Sequence, residues 1–73
     1  MKQNLDLSII IPVLNEEKSL TELIKKTTSV LKKLNQSWEV ITVNDGSQDK
    51  SGEVLNNLAL KNKQLKVINI FLI

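Results

Sequence analysis

The 73 residues carry ten lysines against eight carboxylates, a net charge of +2, an apolar fraction of 41%, and neither cysteine nor histidine. That excludes a disulfide framework, a thiolate metal site and histidine acid–base chemistry, and lysines without arginine forks or interleaved rings do not make a nucleic-acid reader. A chain this short buries only about 60% of its unfolded surface, so its stability lies near the margin.

The N-terminal Met1-Lys2-Gln3-Asn4-Leu5-Asp6 has no apolar core and no small-residue cleavage pattern, unlike a signal peptide. The run Leu-Ser-Ile-Ile-Ile-Pro-Val at 7–13 reads as a β-branched strand ending near a proline that cannot donate to a ladder. Asn15 offers a helix N-cap, with Glu16 and Glu17 where the dipole favours negative charge. Leu20, Leu23, Ile24, Thr27, Val30, Leu31 and Leu34 then recur at three- and four-residue spacing, predicting a helix over about 16–34 that Asn35 can close. Lys25, Lys26, Lys32 and Lys33 fall mostly on its opposite face.

Trp-Glu-Val-Ile-Thr-Val, followed by Asn44-Asp45-Gly46-Ser47, predicts a second strand over about 38–44 and a turn. A second helix over about 50–63 starts near Asp49 or Ser51, with Val54, Leu55, Leu58 and either Ala59 or Leu60 inward. Residues 65–72 predict a third strand. The apolar stretch at 67–73, broken by Asn69, is far below the roughly 18 residues of a membrane span. The expectation is a soluble, cytoplasmic chain of a reducing compartment.

The order β-α-β-α-β implies an α/β fold, a Rossmann-like parallel three-stranded half-sheet with helical crossovers. All three strands read apolar on both faces, as in a sheet covered on both sides. Right-handed crossovers in strand order 3-2-1 nevertheless put both helices on one face. The opposite face is then uncovered, which marks an association site or the N-terminal portion of a larger domain.

Ligands of open parallel sheets bind beyond the carboxyl ends of the strands. The loops there hold Pro12, Leu14 and Glu16 after the first strand, and Asp45 after Val43 in the second. Neither a G-x-G-x-x-G fingerprint nor a G-x-x-x-x-G-K-[ST] loop is present. The acceptors Glu16 and Asp45 suit the N–H and hydroxyl donors of a base and ribose rather than bare phosphate. Each also has an ordinary reading: Asp45 in an Asx-turn, Glu16 as a first-turn carboxylate, Pro12 as a strand terminator. Ser47 and Ser51 suit a helix start, and no basic partner marks either as a nucleophile.

Taken together, Ser-Ile-Ile-Ile-Pro-Val-Leu-Asn-Glu-Glu at 8–17, an amphipathic helix, and Glu-Val-Ile-Thr-Val-Asn-Asp-Gly-Ser-Gln-Asp at 39–49 resemble the opening of family 2 glycosyltransferases. The usual form there is P-x-Y-N-E, a helix, and a strand ending in D-D-G-S-x-D. Within that family the chain looks most like the branch of the dolichol- and polyprenyl-phosphate sugar synthases. The resemblance implies the N-terminal part of a GT-A fold, a nucleotide-diphospho-sugar donor, an inverting transfer to a lipid phosphate or glycan acceptor, and Mg or Mn on the diphosphate. Carried over by position, Pro12, Leu14 and Glu16 match the first nucleotide-binding loop, and Val43 and Asp45 the second. Leu14 stands where the family has tyrosine, and Asn44 where it has its first aspartate. No carboxylate follows Glu53, so the family's D-x-D motif and acidic base have no counterpart here. This chain is expected to recognise a nucleotide without catalysing transfer, with no catalytic or metal-binding residue of its own. The alternatives are a non-enzymatic association module using the uncovered sheet face, and a receiver-like domain with Asp45 as phosphoacceptor, which fails on length and because this chain has no acidic pair after its first strand.

Overall fold

A computed structural model describes residues 5–70. In chain order the elements are β1 (Leu7–Val13), α1 (Leu20–Lys32), β2 (Trp38–Asp45), α2 (Ser51–Lys61) and β3 (Leu65–Ile70). The strands form one parallel sheet with β2 in the centre. Ile9 lies beside Val40, Pro12 beside Val43, and Val43 in turn beside Ile68. The chain is thus α/β, as the periodicity predicts. The expected continuation of the third strand through Phe71 and Leu72 lies outside the described residues.

Strand alternation sorts the side chains. Leu7, Ile9, Ile11 and Val13 of β1, Trp38, Val40 and Thr42 of β2, and Leu65 and Val67 of β3 turn toward the helices. Ile24 and Leu31 of α1 pack with Trp38, Val40 and Leu65; Leu20 packs with Val13 and Leu55 of α2. Ile11 and Val67 adjoin both groups, making the core continuous. Thr42, fully buried, donates its hydroxyl to the Lys66 carbonyl at 3.1 Å, so its polar atom is satisfied.

Both helices cover the same face. The other face carries Ile10, Pro12, Ile41, Val43, Ile68 and Ile70, and of these Ile10 is 65% exposed. Ser8 and Glu39 sit at its amino-terminal end, joined by a 2.6 Å hydrogen bond from the serine hydroxyl. The sheet therefore presents an open surface that is apolar toward its carboxyl edge.

Several local expectations need correction. The first helix begins at Leu20 rather than near 16, because the Glu16 carbonyl accepts from the Ser19 and Leu20 amides in a preceding turn. Its N-cap residue is Ser19, not Asn15, and its C-cap residue is Lys33, not Asn35. Val30 is 62% exposed and Leu34 also lies outside, while Thr28 is buried with its hydroxyl on the Lys25 carbonyl. The apolar stripe therefore drifts by about one position along the helix. In α2 the inward residue is Ala59, and Leu60 points to solvent at 86% exposure.

Candidate functional site

The carboxyl edge of the sheet is where β1 and β2 release their loops. Pro12 and Val43 are direct neighbours in the ladder, and both face the open side. Asp45, two residues further along β2, shares that face and is exposed. Its carboxylate makes no hydrogen bond or ion pair among the described residues, so it is not the acceptor of an Asx-turn. Gly46 follows with φ of +72°, a left-handed turn that glycine adopts without a side-chain clash. Leu14, 57% exposed, and Glu16 lie on the loop leaving β1 at the same edge. Pro12, Val43 and Asp45 are thus grouped on one surface, with Leu14 and Glu16 on the adjoining loop.

The two loops are tied to each other across the top of the sheet. Consecutive amides of the first loop donate to side chains of the second: Asn15 N–H to Ser47 Oγ at 2.9 Å, Glu16 N–H to Ser51 Oγ at 2.8 Å, and Glu17 N–H to Asp49 Oδ2 at 3.1 Å. Returning bonds run from the Gln48 and Asp49 amides to Asn15 Oδ1, at 2.7 and 3.3 Å. Asp49 Oδ1 also accepts from the Ser51 amide at 2.9 Å, which starts α2. Sequence reasoning missed this set by reading Asn15, Ser47, Asp49 and Ser51 as local caps. The signal available was Asn15 itself, whose φ of +50° is a left-handed conformation that asparagine tolerates better than most residues.

Electrostatically the site is acceptor-rich. Hydrogen bonding with the Ser51 side chain holds the Asp49 carboxyl below its usual range, aided by the Ser51 and Glu17 amides and opposed by partial desolvation. A shallow cleft of about 270 Å³ lies beside the loops, lined by Asn15, Glu16, Glu17, Lys18, Ser19 and Asp49. Of the five site residues expected from the sequence, it includes Glu16 alone. Near the cleft Asp49 and the loop amides are already engaged with one another, whereas the Asp45 carboxylate on the open face has no such partner among the described residues.

Asn44, the position where the resemblance expects an aspartate, points the other way. It is buried at 7% exposure beneath α2, its Nδ2 donating to Asn69 Oδ1 at 3.0 Å. Its own Oδ1 has no hydrogen-bond partner among the described residues. Gly52 leaves room for it, since a Cβ there would come within 3.0 Å of Asn44 Nδ2. An amide in this enclosed place avoids the burial of a charge. The change from aspartate therefore falls behind the sheet, away from Asp45.

A metal fit can be tested on the same residues. No group of three or more carboxylates converges so as to hold a cation among the described residues. The divalent ion implied by the resemblance therefore has no donor set here. No helix among them is long and apolar enough to cross a membrane.

Comparison with known proteins agrees with this arrangement. The family described as "Glycosyl transferase family 2" matches residues 8–70. An undecaprenyl-phosphate 4-deoxy-4-formamido-L-arabinose transferase of Pectobacterium atrosepticum is 46% identical over 54 residues, 74% of this chain and 16% of that protein. A transferase of the same name from Salmonella choleraesuis is 46% identical over 48 residues, 66% of this chain and 15% of its own length. The chain thus spans about one sixth of these curated relatives.

Proposed function

The chain belongs to glycosyl transferase family 2, and on that premise we propose that it is the nucleotide-recognising part of a sugar transferase. The observation that carries this reading is the exposed Asp45 carboxylate, without a partner among the described residues, on the open face of the sheet's carboxyl edge beside the paired Pro12 and Val43. A carboxylate there accepts from the N–H of a base or the hydroxyls of a ribose, while Pro12, Leu14 and Val43 supply apolar surface for the base. Glu16 adds a second acceptor from the neighbouring loop. The donor is a nucleotide-diphospho-sugar. The names of the relatives favour a polyprenyl phosphate as acceptor, and our reading sets the reaction at the cytoplasmic face of the membrane that holds such a lipid.

The chemical step would join an acceptor phosphate oxygen to the anomeric carbon as the bond to the nucleotide diphosphate breaks. Mg or Mn bound at the diphosphate would stabilise that leaving group. No group of three or more carboxylates converges on a cation site among the described residues, and our reading assigns them recognition rather than transfer.

Titration of the chain with uridine and guanosine diphosphates, followed by calorimetry, tests this. One of the two is expected to bind at millimolar concentration or below. Asp45→Ala should weaken binding about tenfold or more, since hydrogen bonds to a charged group contribute roughly 1.5–3 kcal/mol. Absence of binding at millimolar nucleotide, or an Asp45→Ala variant that binds like the parent, would remove the reading.

The open apolar face favours a second reading, in which the chain is an association module that pairs through Ile10, Ile41, Ile68 and Ile70 with a second copy of itself. Sedimentation then gives a defined oligomer, and alanine at Ile10 dissociates it.

A further inference from the structure

The ladder between β1 and β2 ends at Val13 and Asn44, so strand pairing does not fix the loops beyond it. Yet the backbone amides of residues 15, 16 and 17 are all satisfied by side chains more than 30 residues away in sequence. Asn15 makes three of the five hydrogen bonds described between the two loops, and it works in both directions: its N–H goes to Ser47 while its Oδ1 collects the amides of Gln48 and Asp49. This closes a ring between residues 15 and 47–49. The left-handed backbone at Asn15 accompanies this two-way role.

We propose that Asn15 is the positioning residue of the site: its side chain clasps the loop following Asp45 to the loop carrying Leu14 and Glu16, so the two move as one unit. Asn15 acts through its neighbours and need not touch the nucleotide. The proposal rests on the reading that these loops recognise a nucleotide. A preformed arrangement of Asp45 and Glu16 avoids ordering two separate loops on binding, and that cost otherwise weakens affinity.

The test uses the full 73-residue chain with Asn15→Gly and Asn15→Asp. Glycine keeps the left-handed backbone accessible and removes the acceptor, whereas aspartate keeps an acceptor in place. Amide hydrogen exchange by NMR reads the clasp without any ligand. In Asn15→Gly the Gln48 and Asp49 amides should exchange about tenfold faster or more, the loss of one net hydrogen bond, while Val40 and Thr42 amides keep their protection. Uridine or guanosine diphosphate should bind that variant about tenfold more weakly, and Asn15→Asp should recover most of both effects. If Asn15→Gly does not fold, Ser47→Ala removes the acceptor of the Asn15 amide, whose exchange should rise instead.

Unchanged protection of Gln48 and Asp49 in folded Asn15→Gly overturns the clasp, as does unchanged Asn15 exchange in Ser47→Ala. Lost protection with unchanged affinity overturns the positioning role. A parent chain that binds neither nucleotide removes the recognition reading and the positioning role with it, and the exchange data still decide whether the loops are clasped.

Discussion

Ile24 and Ile10 are the same side chain in opposite surroundings, 1% and 65% exposed. Ile24 of α1 packs on Trp38, Val40 and Leu65. Truncating it to alanine removes buried methylenes and leaves a cavity, a loss of about 2–5 kcal/mol. Ile10 buries about a third of its surface, and full burial of such a side chain contributes about 1.5–3 kcal/mol, so Ile10→Ala should cost about 0.5–1 kcal/mol. Lost strand propensity adds a few tenths, roughly. A domain of this length has a total stability of about 4–11 kcal/mol at ordinary values per residue, and one whose sheet is open on one face sits at the low end. Ile24→Ala should therefore leave the chain at or near its unfolding midpoint in water, while Ile10→Ala folds almost normally. Urea titration followed by fluorescence of Trp38, the single tryptophan and a buried one, reads both at two protein concentrations. An Ile10→Ala cost above about 2 kcal/mol that also depends on protein concentration would refute the reasoning, because it would mean that this sheet face is covered in solution.

Three further outcomes follow from individual contacts. The Asp49 carboxyl is depressed in the folded chain, so it contributes stability that is fully present above the ordinary carboxylate pKa and is lost as pH falls through the lowered folded value. Asp49→Asn should flatten that acidic part of the stability profile, and a variant with the parent's pH dependence would contradict the assignment. Gly52→Ala gains up to about 1 kcal/mol of helix propensity but drives a Cβ to 3.0 Å from an Asn44 amide held by Asn69. Overpacking of about 1–3 kcal/mol should leave a net loss near 1 kcal/mol by chemical denaturation, and a stabilised variant would show that Asn44 yields freely. Leu60→Lys, on the outer side of α2, should change stability by less than about 0.5 kcal/mol in the same assay, and a larger loss would mean that Leu60 is covered.

The element order was readable because it rests on periodicity. The β-branched run at 7–13 marks a strand, and the spacing of Leu20, Ile24 and Leu31 encodes which side of the first helix faces the core. Handedness then placed both helices on one face without any knowledge of contacts. The ends of the elements were less legible. A turn held by the Glu16 carbonyl competes with the first helical turn, and nothing in Glu-Glu-Lys-Ser announces it. Val30 satisfies the apolar spacing and still faces solvent, because an inward stripe of four residues already fills the space over a narrow sheet. At the site, Asp45 and Glu16 could be nominated by chemistry. The partners of Asn15 could not, since side-chain bonds across more than 30 residues leave no local periodicity.

The parallel register has a consequence for how the chain folds. Leu7 pairs with Trp38 and Val40 with Leu65, separations of 31 and 25 residues, so no hairpin can form early and nucleate the sheet. Every ladder contact waits on the closure of a long loop, whose entropy is lost before any pairing compensates it. Because β2 borders both other strands, the first productive event must involve it. During synthesis β1 emerges well before its partner exists, with its isoleucines unsheltered. The local order of α1, aided by the exposed Glu22–Lys26 pair, offers those isoleucines an early apolar surface and shortens the effective loop that β2 must close.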